Sequence, residues 1–351
     1  HGSYTVAGDL ALAGWPVRLW TRSRRGHEAV YQSGSIRLRG LGRQGEGRLE
    51  QVTENLEEAV RGAGIIFSMS PAGSQENIAA RLAPFLEDGQ ILFLSPGSLG
   101  CCVFAGVFGK EGLRREIAIA EPGTLPYLTR KVEPAEVQVS GLAVRLPVGV
   151  YPARKTGETL AALREVFPAA HPVENALSVA LLNVGPIIHS VLMLLSTAPI
   201  EHFPDWDIHN EGSTDAVKRA ILAHDRERIA IREALGYTSH HYPFADHYDA
   251  EGEHEWMYGR KGHTELVKSE KWREALDFNH RYIQEDVKCN LALLASLGAW
   301  SGVATPIADA LLTLHGVITG EDFRRTGRTL ETLGLAGMSR KELDTVLNEG
   351  I

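Results

Sequence analysis

Apolar and polar positions change their period midway along this chain, and that change outlines its organisation. Tyr4 to Leu12 repeats as an apolar helix closed by Ala13-Gly14, and a short strand, Pro16 to Trp20, follows. Unbroken apolar runs then recur at 64–69, 90–94 and 116–120. Each ends in a turn of small residues: Ser70-Pro71-Ala72-Gly73, Ser95-Pro96-Gly97-Ser98-Leu99-Gly100 and Glu121-Pro122-Gly123. Short apolar runs separated by helical segments predict strands buried on both faces, the habit of a parallel sheet. Val137 to Val148 alternates and predicts a hairpin at the sheet edge.

From about residue 174 the period is helical. Ala176 to Ile200 is almost wholly apolar, and Thr214 to Leu235 carries a polar face at Asp225-Arg226-Glu227-Arg228 before Gly236. Phe278 to Leu297 and Pro306 to Val317 are further helices, whereas Tyr237 to His263 reads as an irregular loop. The pattern predicts an α/β domain over 1–173 and an all-helical domain over 174–351, with a cleft between them.

Helix, tight turn, strand and then a polar residue is the layout of a Rossmann βαβ unit that binds a dinucleotide. The unit's first strand and its Gly-x-Gly are missing, so only Gly2, with Ser3 beside it, is left to approach a pyrophosphate. A parallel sheet without that strand has an unpaired edge, so the natural chain is expected to begin roughly ten residues earlier. Ligands of open α/β sheets sit outside the strands' carboxyl ends, which places Ser70, Pro71, Gly97 and Ser98 along the nicotinamide half. Plain turn chemistry explains the same residues.

The end of the Pro16–Trp20 strand selects the cofactor. A carboxylate there would accept from a ribose 2′-OH and repel a 2′-phosphate. This chain has Thr21 and then Arg22, Arg24 and Arg25. Guanidinium forks suit a phosphate dianion, which predicts NADP(H) in preference to NAD(H). A solvated basic turn is the alternative.

Composition narrows the partners. The 351 residues suffice for two domains, and 44% hydrophobic with 23% charged residues is ordinary for a globular protein. A formal net charge of -8 with no long charge run disfavours nucleic acid and anionic membranes. Ala176–Ile200 is long enough to span a bilayer, but Asn183, Gly185-Pro186 and His189 interrupt it, and a buried helix is expected. Cys101, Cys102 and Cys289 fit neither a disulfide framework nor a zinc motif, so a reducing, cytoplasmic setting is the default. His240, His241, His247 and His254 cluster with Asp246, Asp249, Glu251 and Glu253 at a spacing that matches no standard metal motif, and no metal is expected. Trp206, Trp256 and Tyr258 could line a small-molecule pocket or simply pack.

Two segments carry candidate chemistry. His189 follows Gly185-Pro186, where proline favours a fresh helix start, and lies among Ile187, Ile188, Val191 and Leu192. On pattern alone it is a hydrogen-bonded core histidine. Arg281 and Asp286 are five apart, about 140° around an α-helix, so they would flank a cleft rather than stack. Arg281 could grip a carboxylate and Asp286 could orient an imidazole, or both could belong to an exposed face.

The chain resembles the octopine/nopaline (opine) dehydrogenase family nearly end to end, most closely its bacterial N-(1-D-carboxyethyl)-L-norvaline dehydrogenase type. The resemblance rests on the order and spacing of Ala7-Gly8-Asp9-Leu10-Ala11-Leu12-Ala13-Gly14, Asn183-x5-His189 and Asn210-Glu211-Gly212-Ser213-Thr214. It continues through Asp225-Arg226-Glu227-Arg228-Ile229-Ala230, Ala234-Leu235-Gly236, Arg281-Tyr282-x3-Asp286-Val287, Thr305-Pro306, Asp322-Phe323-Arg324 and Gly327-Arg328-Thr329-Leu330. It implies a Rossmann domain followed by a helical domain of the 6-phosphogluconate-dehydrogenase C-terminal-like type. It also implies reductive joining of an amino acid's amine to a 2-oxo acid such as pyruvate, with NADH or NADPH. Under it His189 is the catalytic histidine, Asp286 its partner, and Arg281 with Asn183 bind substrate. The chain departs from the family at Gly-x-Gly, at Ser3-Tyr4 and at Thr21, which stands where NAD-using members carry an acid.

The partners so implied are two small molecules, an amino acid and a 2-oxo acid; the sequence leaves the oligomeric state open, a homodimer being one outcome. A ketopantoate-reductase-like or 2-hydroxy-acid oxidoreductase shares the two-domain plan and needs no amine. A non-catalytic NADPH sensor is the reading from another class.

Overall fold

The structure is a computed structural model that describes residues 1–238, 240–249, 251–260, 262–267 and 272–350. The chain divides into two compact units, His1–Pro172 joined by the last residues of the chain, and Val173–Leu347.

The strands of the first unit are β1 (Arg18–Trp20), β2 (Ser35–Gly40), β3 (Gly45–Arg48), β4 (Gln51–Thr53), β5 (Ile65–Ser68), β6 (Ile91–Leu94), β7 (Ala118–Pro122), β8 (Tyr127–Glu133), β9 (Glu136–Leu142), β10 (Leu146–Tyr151) and β11 (Ala170–Pro172). The main sheet has the order β11-β10-β7-β6-β5. Strands β5, β6 and β7 pair in parallel, as their apolar runs predict; β10 is antiparallel to β7, and β11 returns parallel to β10. β1 and β4 form a separate parallel pair. This is a Rossmann-like α/β arrangement.

The expected hairpin over 137–148 does not form. Residues up to Leu142 lie in β9, which pairs with β8 and β2 in a four-stranded sheet of order β3-β2-β9-β8, whereas Leu146 opens β10 of the main sheet. Burial explains the split. β9 alternates between buried and half-buried positions, as a strand with one covered face does, while β10 is buried along its whole length.

The first helix, Gly2–Leu12, is buried from Tyr4 to Leu10 because both of its sides are covered. Val6 and Leu10 pack with Phe93, Ala120 and Val148 of the main sheet. Tyr4 and Ala7 pack with Leu19, Ile36, Leu38 and Val137 on the other side. Glycine permits this layering: a Cβ on Gly47 would lie 2.4 Å from the Gly8 carbonyl oxygen.

The second unit is helical. The apolar stretch 176–200 is not one rod but three helices, Ala176–Ala180, Gly185–Leu195 and Thr197–His202. Ala176–Leu195 is apolar and long enough to cross a membrane by composition, yet 67% of it is buried inside the fold. A short antiparallel pair, β12 (Trp206–Asp207) and β13 (Arg273–Glu274), precedes the segment from Tyr282. That segment is not the uniform α-helix expected over 278–297: Tyr282–Leu291 winds as a π-helix, and Ala292–Ser301 continues as α-helix. The Asn290 side chain donates to the Glu285 carbonyl at 3.0 Å, one of the contacts that accompany the wider register.

The long helix Asp215–Ala234 corrects another expectation. Its Asp225-Arg226-Glu227-Arg228 segment was expected to face solvent, but only Arg226 is exposed. Arg228 is fully buried, and donates to Asp225 at 2.7 Å and to the carbonyls of Leu181, His241 and Tyr242 at 2.8 to 3.0 Å. Asp225 accepts in addition from the Phe244 amide, and Glu227 caps the helix Pro306–Thr319 by accepting from Ile307 and Ala308. Arg232, also buried, donates to the Ser178 carbonyl and to Nδ1 of His241. These charges staple the loop after residue 236 to the helix bundle. Among the described residues no cluster of histidines, cysteines and acids converges as a metal site would require, and the loop packs instead on its own aromatics, Phe244 against Trp256 at 5.6 Å.

Removing one partner of a buried ion pair strands the other's charge. Arg228→Met should therefore destabilise the protein by about 3–5 kcal/mol. Urea titration checks this; a loss below about 1 kcal/mol would show that Asp225 finds other compensation.

Candidate active site

Residues expected to hold the dinucleotide lie at the start of the first helix and at strand ends of the first unit. Gly2 opens the helix, where backbone N–H groups lack helical partners and favour an anion. A Cβ there would lie 3.3 Å from Met69 Cε, so the helix start adjoins the Ser70-Pro71 turn after β5; Ser3 and Pro71 are exposed and Ser70 is half-buried.

Thr21 is buried, and its hydroxyl meets the Tyr31 hydroxyl at 2.8 Å. It shapes the turn rather than facing outward. Arg22, Arg24 and Arg25 are all exposed. Arg24 spreads over the Tyr31 ring at 5.0 Å, and its amide donates to Glu54 at 2.9 Å.

Gly97 serves packing. A Cβ on it would fall 2.3 Å from Oε2 of Glu121, a carboxylate with no exposed surface. Glu121 accepts from the amides of Leu99 (2.9 Å) and Cys101 (2.6 Å), and so caps the helix Gly100–Lys110. Ser98 and Leu99 occupy the left-handed region, with φ of 57° and 59°, a conformation that this carboxylate helps to hold.

The second unit assembles the other group. Pro186 lies in the first turn of the helix Gly185–Leu195, and His189 follows one turn later. Asn183 accepts from the Gly185 amide at 3.0 Å and so caps the helix start. Nδ1 of His189 is 2.7 Å from Oδ2 of Asp286. Gly185 makes that approach feasible, since a Cβ there would stand 2.4 Å from Oδ1 of Asp286. The carboxylate thus rests against a helix N-terminus, where negative charge is favoured.

The π-helix changes how Arg281 and Asp286 relate. An i→i+5 register winds more residues into each turn, so residues five apart come closer to one face than on an α-helix. The Arg281 guanidinium lies 5.3 Å from the centre of the Tyr282 ring. Tyr282 in turn stacks on His189, with centroids 3.8 Å apart and planes 16° from parallel. His209 meets His189 edge to face at 5.2 Å.

Burial sets the protonation of this cluster. It holds His189 well below the usual imidazole value, aided by the charges of Arg281 and His280. It pushes Asp286 up to about 7 against the pull of the same two residues. Titration near neutrality belongs to the His189–Asp286 pair rather than to either member. Glu285 is likewise pushed up to about 7, by burial and by Asp286. His209 is driven down to about 3, by burial first and His189 second, and is neutral at physiological pH. With Nδ1–H donated to the carboxylate, Nε2 is the nitrogen left to exchange a proton with a reacting group.

The structure therefore brings Asn183, His189, Arg281 and Asp286 together, and gathers Thr21 to Arg25 in one turn. Pattern reading missed His209 and Glu274 and gave Tyr282 no role. Their signal was position alone: His209 abuts the Asn210-Glu211-Gly212-Ser213-Thr214 motif, and Tyr282 lies inside the Arg281–Asp286 motif.

Residues 172–319 match the family model described as NAD/NADP octopine/nopaline dehydrogenase, alpha-helical domain. An opine dehydrogenase of Arthrobacter sp. (strain 1C) is 30% identical over 345 residues, spanning 97% of this chain and 94% of that protein. Protein ocs of Agrobacterium tumefaciens (strain Ach5) is 28% identical, over 98% of this chain and 96% of its own. Among solved structures, octopine dehydrogenase with NADH and L-arginine superposes at a TM-score of 0.74 and 19% identity, covering 99% of this chain and 96% of that one. NADP+-bound yersinopine dehydrogenase does so at 0.68 and 14%, covering 99% and 96%. A ketopantoate reductase from Ralstonia solanacearum is more distant, at 0.55 and 17%, covering 90% and 95%. The chain belongs to the octopine/nopaline dehydrogenase family.

Proposed function

We propose that this protein is an NAD(P)H-dependent opine dehydrogenase, which condenses the amine of an amino acid with a 2-oxo acid of the pyruvate type and reduces the product to an N-(carboxyalkyl) amino acid. The observation that carries the reading is the His189–Asp286 bond of 2.7 Å, with Arg281 at the N-cap of the π-helix that carries Asp286. Relatives that share the fold have been solved with NADH and L-arginine, and with NADH and pyruvate.

Each role follows from chemistry the residues can perform. Arg281 offers a planar fork to the oxo acid's carboxylate. Asn183 keeps an amide donor beside it while its oxygen caps the helix. As the amine adds to the carbonyl, Nε2 of His189 passes a proton from nitrogen to the oxygen, and a second proton, taken up from solvent through the same Nε2, lets that oxygen leave as water from an iminium. Asp286 fixes the imidazole tautomer and balances the imidazolium that forms. When bound, the reduced nicotinamide supplies the hydride that converts the imine carbon to a secondary amine.

Gly2 and Ser3 at the first helix, the Ser70-Pro71 turn and the Gly97 turn suit a dinucleotide, and the exposed guanidinium groups of Arg22, Arg24 and Arg25 suit a 2′-phosphate. No carboxylate occupies position 21, which favours NADP(H) over NAD(H). The free, buried Cys101, Cys102 and Cys289 fit a reducing cytoplasm. Sedimentation distinguishes a monomer from a homodimer. A 2-hydroxy-acid oxidoreductase is the second reading, favoured by the ketopantoate reductase likeness; it would turn over without any amine.

A general acid/base contributes ~10²–10⁴-fold, so His189→Ala should lose that much in kcat while NADPH binding persists. Loss of NADPH binding together with activity would make His189 structural. Arg22→Asp should weaken NADPH by ~10–100-fold, the scale of a charged hydrogen bond, and leave NADH nearly unchanged. Equal effects on the two cofactors, measured by calorimetry, would discard the phosphate reading.

A further inference from the structure

Tyr282 touches the centre of the site, yet the roles above leave it unused. Its ring lies flat on His189 at 3.8 Å, carries Arg281 at 5.3 Å and meets His280 edge-on at 4.4 Å. Its hydroxyl is 3.2 Å from Nε2 of His209 and donates to Glu274 at 3.5 Å. Tyr282 is 2% exposed, and His209 is itself wedged between the His189 ring and Trp272 at 5.0 Å. One ring therefore contacts both the proposed proton shuttle and the proposed carboxylate grip, and its far end is tied by two partners.

A single hydrogen bond leaves an imidazole free to rock about the line from Nδ1 to Oδ2. A flat ring against its face removes that motion. The same face is electron-rich and attracts a cation, so it favours imidazolium where burial opposes it. We propose that Tyr282 is the positioning residue of this site: its stacked ring fixes the plane of His189 and its spacing from Arg281, and His209 with Glu274 locks the ring through the hydroxyl. The inference rests on His189 being the proton shuttle.

The groups that face the His189 ring are Asp286 at Nδ1, Tyr282 on its face and His209 at its edge, with Arg281, His280 and Glu274 acting on it through their charges. On the neighbouring helices, His315 bonds the Ser190 carbonyl at 2.8 Å and His224 adjoins the Ile187 backbone, so both meet the helix rather than the ring.

The test compares Tyr282→Met, which fills volume without an aromatic face, with Tyr282→Phe and His209→Leu. Each is assayed in the oxidative direction with the secondary-amine product and NADP+, where an unprotonated His189 is needed and kcat therefore rises with pH. Tyr282→Met should move that rise to lower pH by about 0.5–1 unit, the size of a lost cation–π contact. It should also cut kcat by ~10–100-fold and raise KM for the oxo acid in the reductive direction, as a small misplacement of reacting groups does. Tyr282→Phe and His209→Leu should keep the wild-type pH limb and lose less than about tenfold. A wild-type limb and kcat in Tyr282→Met, with unaltered NADPH affinity, would overturn the proposal. So would a Tyr282→Phe variant as impaired as Tyr282→Met, because the hydroxyl rather than the ring would then be responsible. Should Tyr282→Met not fold, a displaced limb in Tyr282→Phe alone would also contradict it. Full activity in His189→Ala would remove the shuttle reading itself, a result separate from any of these.

Discussion

Asp286 reaches the imidazole of His189 through a place where no side chain would fit. Gly185 leaves the opening, and Asn183 holds the helix start that frames it. The bond that results, 2.7 Å from Nδ1 to Oδ2, sets the tautomer, so the chemistry attributed to Nε2 depends on it. The π-helical register from Tyr282 to Leu291 is the second half of the same constraint. It brings Arg281 and Asp286 toward one side of a single segment, where an α-helix would have set them about 140° apart.

Around this lies a set of buried charges that performs no chemistry. Arg228 and Arg232 are fully buried, and each satisfies backbone carbonyls as well as side chains. Such groups are costly to desolvate, and pay only when every donor has a partner. What they secure here is an irregular segment, since Arg228 donates to the carbonyls of His241 and Tyr242 in a loop with little regular structure.

The main sheet was legible because β5, β6 and β7 are short apolar runs that end in small-residue turns, a signal carried by local period alone. His189, Arg281 and Asp286 were legible only through the family resemblance, since pattern alone favoured a core histidine and a surface ion pair; the structure places Asp286 on His189. Other features depend on contacts between distant residues. The Asp225–Arg228 segment has the period of a solvent-facing helix, and distant backbone groups turn it inward, the carbonyls of Leu181, His241 and Tyr242 and the amides of Phe244, Ile307 and Ala308. The π register has no periodic signature at the level of single residues. His209 sits beside His189 because β12 and β13 pair across more than sixty residues, which no local window contains. Thr21 was legible as the place where an acid is missing, but not the bond of its hydroxyl to Tyr31, ten residues later.

The central claim is that the protein makes a carbon–nitrogen bond rather than reducing a ketone. Incubation with NADPH, a ¹⁵N-labelled amino acid and a 2-oxo acid labelled with ¹³C at C2, followed by NMR of the product, tests it directly. The account predicts a one-bond ¹⁵N–¹³C coupling in a secondary amine, formed only when both substrates are present. A ¹³C-labelled 2-hydroxy acid beside unchanged amino acid would contradict it.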